Sequence, residues 1–336
     1  MRLAQILPSA AWCASLAHAG SYYGYESSAS FEVNGYKANE WMKIIEQDTY
    51  ISALSIPGTH NTMTYNLTDP VYQCQNLDLS TQLEAGIRYL DIRGRSVGGD
   101  LYIYHGNVST GFMFRDVLND VFRFLGDHPS EVIIMRIKEE GPRINTEIRF
   151  EDALIHDIAE PSPLYRLAGK LLRIRDDGDY SPMPTLKEVR GQVMILQDFQ
   201  TVAGPEKYGN EWAGHEMELQ DRWQVEDVDH LEDKWQAVEE TLEKAASFQT
   251  SGNDKLRVSH LSASSGVLPI VAAAGPIRRQ NANGTAIEGM NDRTAKWLNL
   301  NPSPRVGKTG IVVADFPGKE LISAIISRNE YIIDPE

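Results

Sequence analysis

Two apolar runs in the chain end in a histidine: Ser55-Ile56-Pro57-Gly58-Thr59-His60-Asn61 and Tyr102-Ile103-Tyr104-His105-Gly106. Between them stands Tyr89-Leu90-Asp91-Ile92-Arg93-Gly94-Arg95, where two-residue alternation puts Asp91 and Arg93 on one face with Tyr89. Transfer of phosphorus between oxygens needs one group to remove a proton and another to deliver one. Imidazole titrates near neutrality, so one ring can start neutral and the other protonated. The charge developing on the phosphate needs a fixed cation, and guanidinium offers a bidentate fork. A single histidine of this kind would be read as a loop cap or a satisfied core position. Two at strand ends, flanking an inward Asp-x-Arg, point to a phosphodiester-cleaving site. His18, His128, His156, His215 and His230 lack that context and are read as structural.

Positioning such groups takes short strands whose ends face one way. Apolar runs at 51–56, 88–92, 101–104, 132–137, 192–196, 256–259 and 310–314 read as strands buried on both faces. Helical spacing fills the gaps. Phe114, Val117, Leu118, Val121, Phe122 and Leu125 share a face that stops before His128-Pro129. Leu231, Trp235, Val238 and Leu242 repeat between Asp229 and Phe248. Both stripes read as core contacts rather than cofactor sites. Alternating strands and helices, with no linker and no repeat, predict an α/β fold with a single parallel barrel, whose catalytic groups follow strand ends. The acidic stretch from Glu216 to Glu243 reads as a solvated helix face with its preceding loop.

Composition narrows the partners. With 42% hydrophobic and 24% charged residues the 336-residue chain can build a sizeable core. A net charge of −15 argues against nucleic acid and against attraction to a strongly anionic membrane. Arg2, the apolar stretch after it and Ala17-His18-Ala19 predict a signal peptide over residues 1–19, a secreted protein, and one catalytic domain over 20–336. Removal of the leader would take Cys13 away and leave Cys74 as a lone thiol with no disulfide. Sequons at Asn66, Asn107 and Asn283 would matter only in a eukaryotic secretory pathway. No later stretch is apolar and long enough for a transmembrane segment. Asp334-Pro335-Glu336 lacks the hydrophobic tail of a lipid-anchor signal.

Taken together, Ser-Ile-Pro-Gly-Thr-His, then Gly86-Ile87-Arg88-Tyr89-Leu90-Asp91-Ile92-Arg93-Gly94-Arg95, then Tyr-His-Gly resemble the X-domain of phosphatidylinositol-specific phospholipases C, most of all the bacterial single-domain type. The likeness continues through Pro129-Ser130-Glu131-Val132-Ile133-Ile134-Met135, Lys138, Arg190-Gly191, Gln220-Asp221, Ser262-Ala263-Ser264-Ser265-Gly266, Pro304-Arg305-Val306-Gly307 and Val312-Val313-Ala314-Asp315-Phe316, a core of 51–329. The resemblance implies a distorted TIM (β/α) barrel that needs no cofactor. It implies His60 as the base on the inositol 2-hydroxyl, oriented by Asp315. Arg93 would stabilise the phosphate, with Asp91 holding either Arg93 or the second histidine. His105 would protonate the departing diacylglycerol oxygen, and the cyclic phosphate formed first could then be opened by water. Lys138, Asp221 and Trp223 fall where the family meets the inositol ring, and Ser262 and Ser264 would border the substrate.

Two departures bear on this. The bacterial type has an aspartate where Asn61 stands, beside the acid histidine, and an inositol-binding arginine where Asp198 stands. Calcium-dependent relatives do have His-Asn, but their metal needs carboxylates at the positions of Arg93 and Lys138. Two cations pointing into one poorly solvated site exclude a divalent ion by like-charge repulsion, so no metal is expected. The expected function is therefore metal-independent cleavage of phosphatidylinositol, or of glycosylphosphatidylinositol (GPI) anchors, at a membrane surface. The alternatives are a phosphodiesterase for a different headgroup, which Asp198 motivates, and a catalytically idle inositol-lipid-binding protein. The joint presence of His60, Arg93, His105 and Asp315 speaks against the idle form.

Overall fold

A computed structural model describes residues 20–174, 183–205, 207–247, 255–278, 287–300 and 307–332. The expected leader over 1–19, the sequon at Asn283 and the Pro304-Arg305-Val306 segment lie outside the described residues. Eight parallel strands form the barrel wall: β1 (Ser55–Thr59), β2 (Tyr89–Val97), β3 (Ile133–Glu139), β4 (Val193–Asp198), β5 (Asn210–Glu211), β6 (Met217–Gln220), β7 (Leu256–His260) and β8 (Gly310–Ala314). Hydrogen-bonded neighbours run β5-β4-β3-β2-β1-β8-β7-β6. This is the cyclic order of a TIM barrel, unjoined between β5 and β6 among the described residues. There the chain crosses from one strand to the next through residues 212–216 with no helix, and the described residues between β4 and β5 form no helix either, so the barrel departs from the regular pattern on this side.

Strand alternation sorts the side chains into two layers. Ile56, Tyr89, Ile134, Met194, Leu196, Leu256, Val258, Ile311 and Val313 meet in one buried interior cluster, joined by Trp41, Met42, Ile45, Ile51 and Leu54 from the chain before β1. The intervening set, including Leu90, Ile92, Ile133, Met135, Val193 and Ile195, packs on helices α1 (Phe114–Asp127) and α2 (Phe150–Ile158). Both helical stripes read from the sequence are core contacts, on α1 and on α3 (Leu231–Ser247).

Three expectations need correction. The 51–56 strand is shorter: Ile51–Ala53 is a 3-10 turn, closed by Leu54 N–H donating to the Ile51 carbonyl at 3.2 Å, and β1 begins at Ser55. An apolar run buries equally well in either form, so its hydrophobicity could not tell them apart. The acidic stretch also contains barrel strand β6. Its Glu218 keeps partial contact with solvent and pairs with Arg257 on β7 at 3.0 Å. The 101–104 run is not a barrel strand either. It belongs to an antiparallel hairpin, Asp100–His105 with Val108–Met113, hung on β2.

Several motif residues hold the wall together. Arg88 and Glu131, both wholly buried, pair at 2.9 Å and tie the start of β2 to the start of β3. Gly58 has a tighter constraint, since a Cβ there would lie 2.7 Å from Cδ1 of Tyr89. Gly58→Ala should therefore overpack the interior and cost about 1–3 kcal/mol in urea unfolding. A variant as stable as the parent would show that the Tyr89 ring can move aside.

Candidate active site

The carboxyl ends of the strands surround a cleft of about 610 Å³, the volume of a small-molecule site. Of the residues singled out in the sequence, His60, Arg93, His105, Lys138, Asp221, Trp223, Ser262, Ser264 and Asp315 line it. Asn61 and Asp91 are buried and touch the lining residues from behind.

His60 follows β1 directly. Its Nδ1 lies 2.8 Å from Oδ1 of Asp315, which follows β8, and Nδ2 of Asn61 lies 3.1 Å from its Nε2. The amide can donate only to a bare nitrogen, so the proton sits on Nδ1 and the lone pair on Nε2. Burial, followed by the charge of Arg93, keeps the His60 pKa well below the usual imidazole range. Burial also pushes the Asp315 carboxyl up. The ring is neutral, with Nε2 the basic atom.

Asp91 organises the cations. Its Oδ2 accepts from Nε and Nη2 of Arg93 at 2.9 and 2.8 Å and from the Asn61 backbone N–H at 3.1 Å. Burial opposes its charge, yet Arg93 and Arg136 hold the carboxyl well below the ordinary carboxylate range. Of the two roles open to Asp91, holding Arg93 is the one the contacts support. Glu140 bonds Lys138 at 2.8 Å, lies 3.7 Å from Arg93 and accepts the Gly106 N–H at 2.9 Å, so it braces the turn after His105.

His105 ends the first hairpin strand, its ring centroid 6.4 Å from that of His60. Nδ1–H donates to the Tyr72 carbonyl at 2.8 Å, which leaves Nε2 for a substrate. Burial lowers its pKa, with the Tyr72 bond acting the other way. The placing of Asn61 beside the acid histidine is corrected here: its amide bonds the ring of His60. The left-handed backbone at Asn61 (φ 44°) turns the side chain back toward the preceding residue.

The sequence reading passed over three groups. Arg136 stands two residues before Lys138 on β3 and lines the cleft. It pairs with Asp198 at 2.6 Å and Asp91 at 3.4 Å, and stacks 3.9 Å above Trp212. Asp198 is thus neutralised, and a guanidinium stands one strand away from it. Glu140 is the second group. The third is His260, at the end of β7, 6.0 Å from the His60 ring and without a hydrogen-bond partner at either nitrogen among the described residues. Its signal was the one that found His60 and His105, an apolar run ending in histidine, but the expected strand stopped at 259.

Residues 51–198 match the model of the family described as phosphatidylinositol-specific phospholipase C, X domain. A 1-phosphatidylinositol phosphodiesterase of Listeria monocytogenes is 31% identical over 309 residues, 89% of this chain and 87% of its own length. One of Staphylococcus aureus is 23% identical, over 91% of this chain and 99% of its own. The solved structure of phosphatidylinositol-specific phospholipase C from Listeria monocytogenes superposes with a TM-score of 0.67 at 30% identity, covering 87% of this chain and 98% of that one.

Burial of His260 has a consequence for stability. Its pKa is lowered from 6.5 to about 4 by burial. Between those values the unfolded chain binds a proton that the folded chain does not, so stability rises with pH across the window. Stability should be full above about pH 6.5 and fall as the pH drops toward about 4, by roughly 3 kcal/mol from this residue. His260→Phe should flatten the slope in urea unfolding; an unchanged slope would place the proton uptake elsewhere.

Proposed function

The chain belongs to the phosphatidylinositol-specific phospholipase C X-domain family, and from that membership we propose that it cleaves inositol phospholipids to diacylglycerol and inositol 1,2-cyclic phosphate. The observation that carries the reading is the pairing of a neutral imidazole, its lone pair on Nε2, with a second imidazole 6.4 Å away, both beside Arg93.

His60 Nε2 takes the proton of the inositol 2-hydroxyl after the Asn61 amide gives way. Asp315 stabilises the imidazolium that forms through Nδ1–H, as the carboxylate of a catalytic triad does. The 2-oxygen bonds phosphorus, the bond to the glycerol oxygen breaks, and His105, which takes up a solvent proton at Nε2 when the anionic phosphate binds beside it, protonates the leaving oxygen. Charge on the phosphate oxygens is met by Arg93, whose fork Asp91 fixes in advance, so little reorganisation is needed in the transition state. Hydrolysis of the cyclic product would exchange the two histidine roles. Lys138, Arg136 and Asp221 offer charged partners to the inositol hydroxyls, and Trp223, 46% exposed, offers a ring to stack on it. Ser262 and Ser264 border the same wall.

No metal enters this scheme. Asp91 is held by two guanidiniums and Glu140 by Lys138, which leaves no oxygen cage for calcium. The proposal includes a lipid presented at a membrane surface and export by the leader over 1–19. Among the described residues no helix is long and apolar enough to cross a membrane.

Incubation with phosphatidylinositol in excess chelator should yield inositol 1,2-cyclic phosphate by phosphorus NMR; activity lost in chelator and restored by calcium would overturn the metal-free scheme. His60→Ala and His105→Ala should each fold and lose about 10²–10⁴ in rate, without additivity. A variant that kept more than about a tenth of the rate, or 1.4 kcal/mol of barrier, would not be missing a proton-transfer group.

Asn61→Asp separates the two histidines. A carboxylate beside His60 Nε2 favours the protonated ring and raises its pKa, so the acid limb of kcat/KM should move to higher pH while the alkaline limb stays. Movement of the alkaline limb alone would mean that residue 61 acts on His105.

A further inference from the structure

We propose that His60, Cys74 and Asp315 form a latent site for a soft divalent cation, Zn²⁺ or Cd²⁺, whose occupancy blocks the reaction. The site is defined by geometry. One ligand atom from each of the three residues lies within 4.8 Å of the other two, and all three residues line the cleft. A second observation concerns the carboxylate, which the Cys74 thiol also steadies. Asp315 is 1% exposed, its Oδ1 engages His60, and its Oδ2 is buried with no hydrogen-bond partner. Such an oxygen is an acceptor waiting for a cation or a proton.

The loop that presents Cys74 is pinned on several sides. Cys74 N–H donates to Thr64 Oγ1 at 3.0 Å, and its carbonyl accepts from Phe316 N–H at 2.9 Å. Gln75 Nε2 donates to the carbonyls of His60 and Ala314 at 2.7 and 3.0 Å. The thiol is therefore held beside the two strand ends that carry the other ligands.

Zinc bonds of about 2.3 Å to sulfur and 2.0–2.2 Å to nitrogen and oxygen place tetrahedral ligands roughly 3.3–3.7 Å apart. The 4.8 Å limit on the present cluster exceeds that spacing and the 2.8 Å between Nδ1 of His60 and Oδ1 of Asp315 falls short of it, so an ion would draw the thiol in and open the His60–Asp315 pair. The donor set selects the metal: thiolate and imidazole suit zinc and cadmium, whereas calcium and magnesium want an all-oxygen shell. Binding releases the thiol proton to solvent and moves the Nδ1 proton of His60 to Nε2, where the Asn61 amide can turn its unpartnered Oδ1 to accept it, freeing Nδ1 as the ligand atom. The thiolate and carboxylate together balance the two charges of the ion, so it can stand beside Arg93 where a calcium ion without a thiolate could not. Nothing is oxidised or reduced.

That the ion would block turnover rests on the function proposed above, because it ties up the residue assigned as the base; binding itself does not. The test uses the full chain stripped with chelator and titrated with Co²⁺. A thiolate-to-cobalt charge-transfer band should appear in the wild type and be absent from Cys74→Ala and from the volume-conserving Cys74→Ser. In parallel, Zn²⁺ should inhibit phosphatidylinositol cleavage reversibly, at a concentration at least tenfold lower for the wild type than for Cys74→Ala, while Ca²⁺ and Mg²⁺ do not inhibit. No charge-transfer band in the wild type, or one that persists without Cys74, overturns the site. A band without Zn²⁺ inhibition overturns the block. A metal-free wild type that does not cleave the lipid would count against the function, and the cobalt spectrum would still decide the site.

Discussion

The carboxylate of Asp91 is 1% exposed and the cleft is organised around keeping it charged. A buried carboxylate without partners costs several kcal/mol, so the groups that satisfy it are not free to leave. Oδ2 receives two donors of Arg93 and the Asn61 backbone, and Oδ1 lies 3.4 Å from Arg136. Through these contacts one side chain on β2 sets the arginine fork, the turn after His60, the cation on β3 and, by way of Arg136, Asp198 on β4. The preorganisation that phosphoryl chemistry needs is a by-product of satisfying one buried charge.

Around that charge the barrel is divided along its axis. Below it the interior is apolar, plugged by Trp41, Met42 and Leu54; above it the inward positions become Arg93, Arg136, Lys138 and His260. The seam between β5 and β6 lies against this polar layer. Trp212, in the link across it, packs on the interior cluster and lies under Arg136, with the His260 ring 6.1 Å away. An aromatic side chain fills space that a ladder would have closed, and it stabilises a guanidinium as it does so.

Local charge also separates from global charge. The chain carries −15 overall, yet the cleft concentrates guanidinium and ammonium groups, steadied by the carboxylates of Asp91, Glu140 and Asp198. Asp198, read from the sequence as a lost cation, is half of such a pair. Burial then depresses His60, His105 and His260 together, so the imidazoles rest neutral and the charge of an anionic substrate would favour uptake of a solvent proton by one of them.

The sequence alone determined most of the barrel and, by strand-end pattern and family resemblance, the side chains that line the cleft, because strands and their ends depend on local periodicity. Apolar runs of strand length mark β1, β2, β3, β4, β7 and β8, and each motif histidine stands at a strand end where the pattern breaks. Two strands escaped. β5 is two residues long, and β6 carries Glu218, which pairs with Arg257 on another strand. What the tertiary structure alone decided is which group faces which. Asn61 turns to His60, Arg136 enters the cleft between Asp91 and Asp198, and Cys74 comes within a metal's reach of His60 and Asp315. These pairings join residues up to 255 positions apart. They are set by strand order and by the need to satisfy buried charge, and no local pattern in the chain records either.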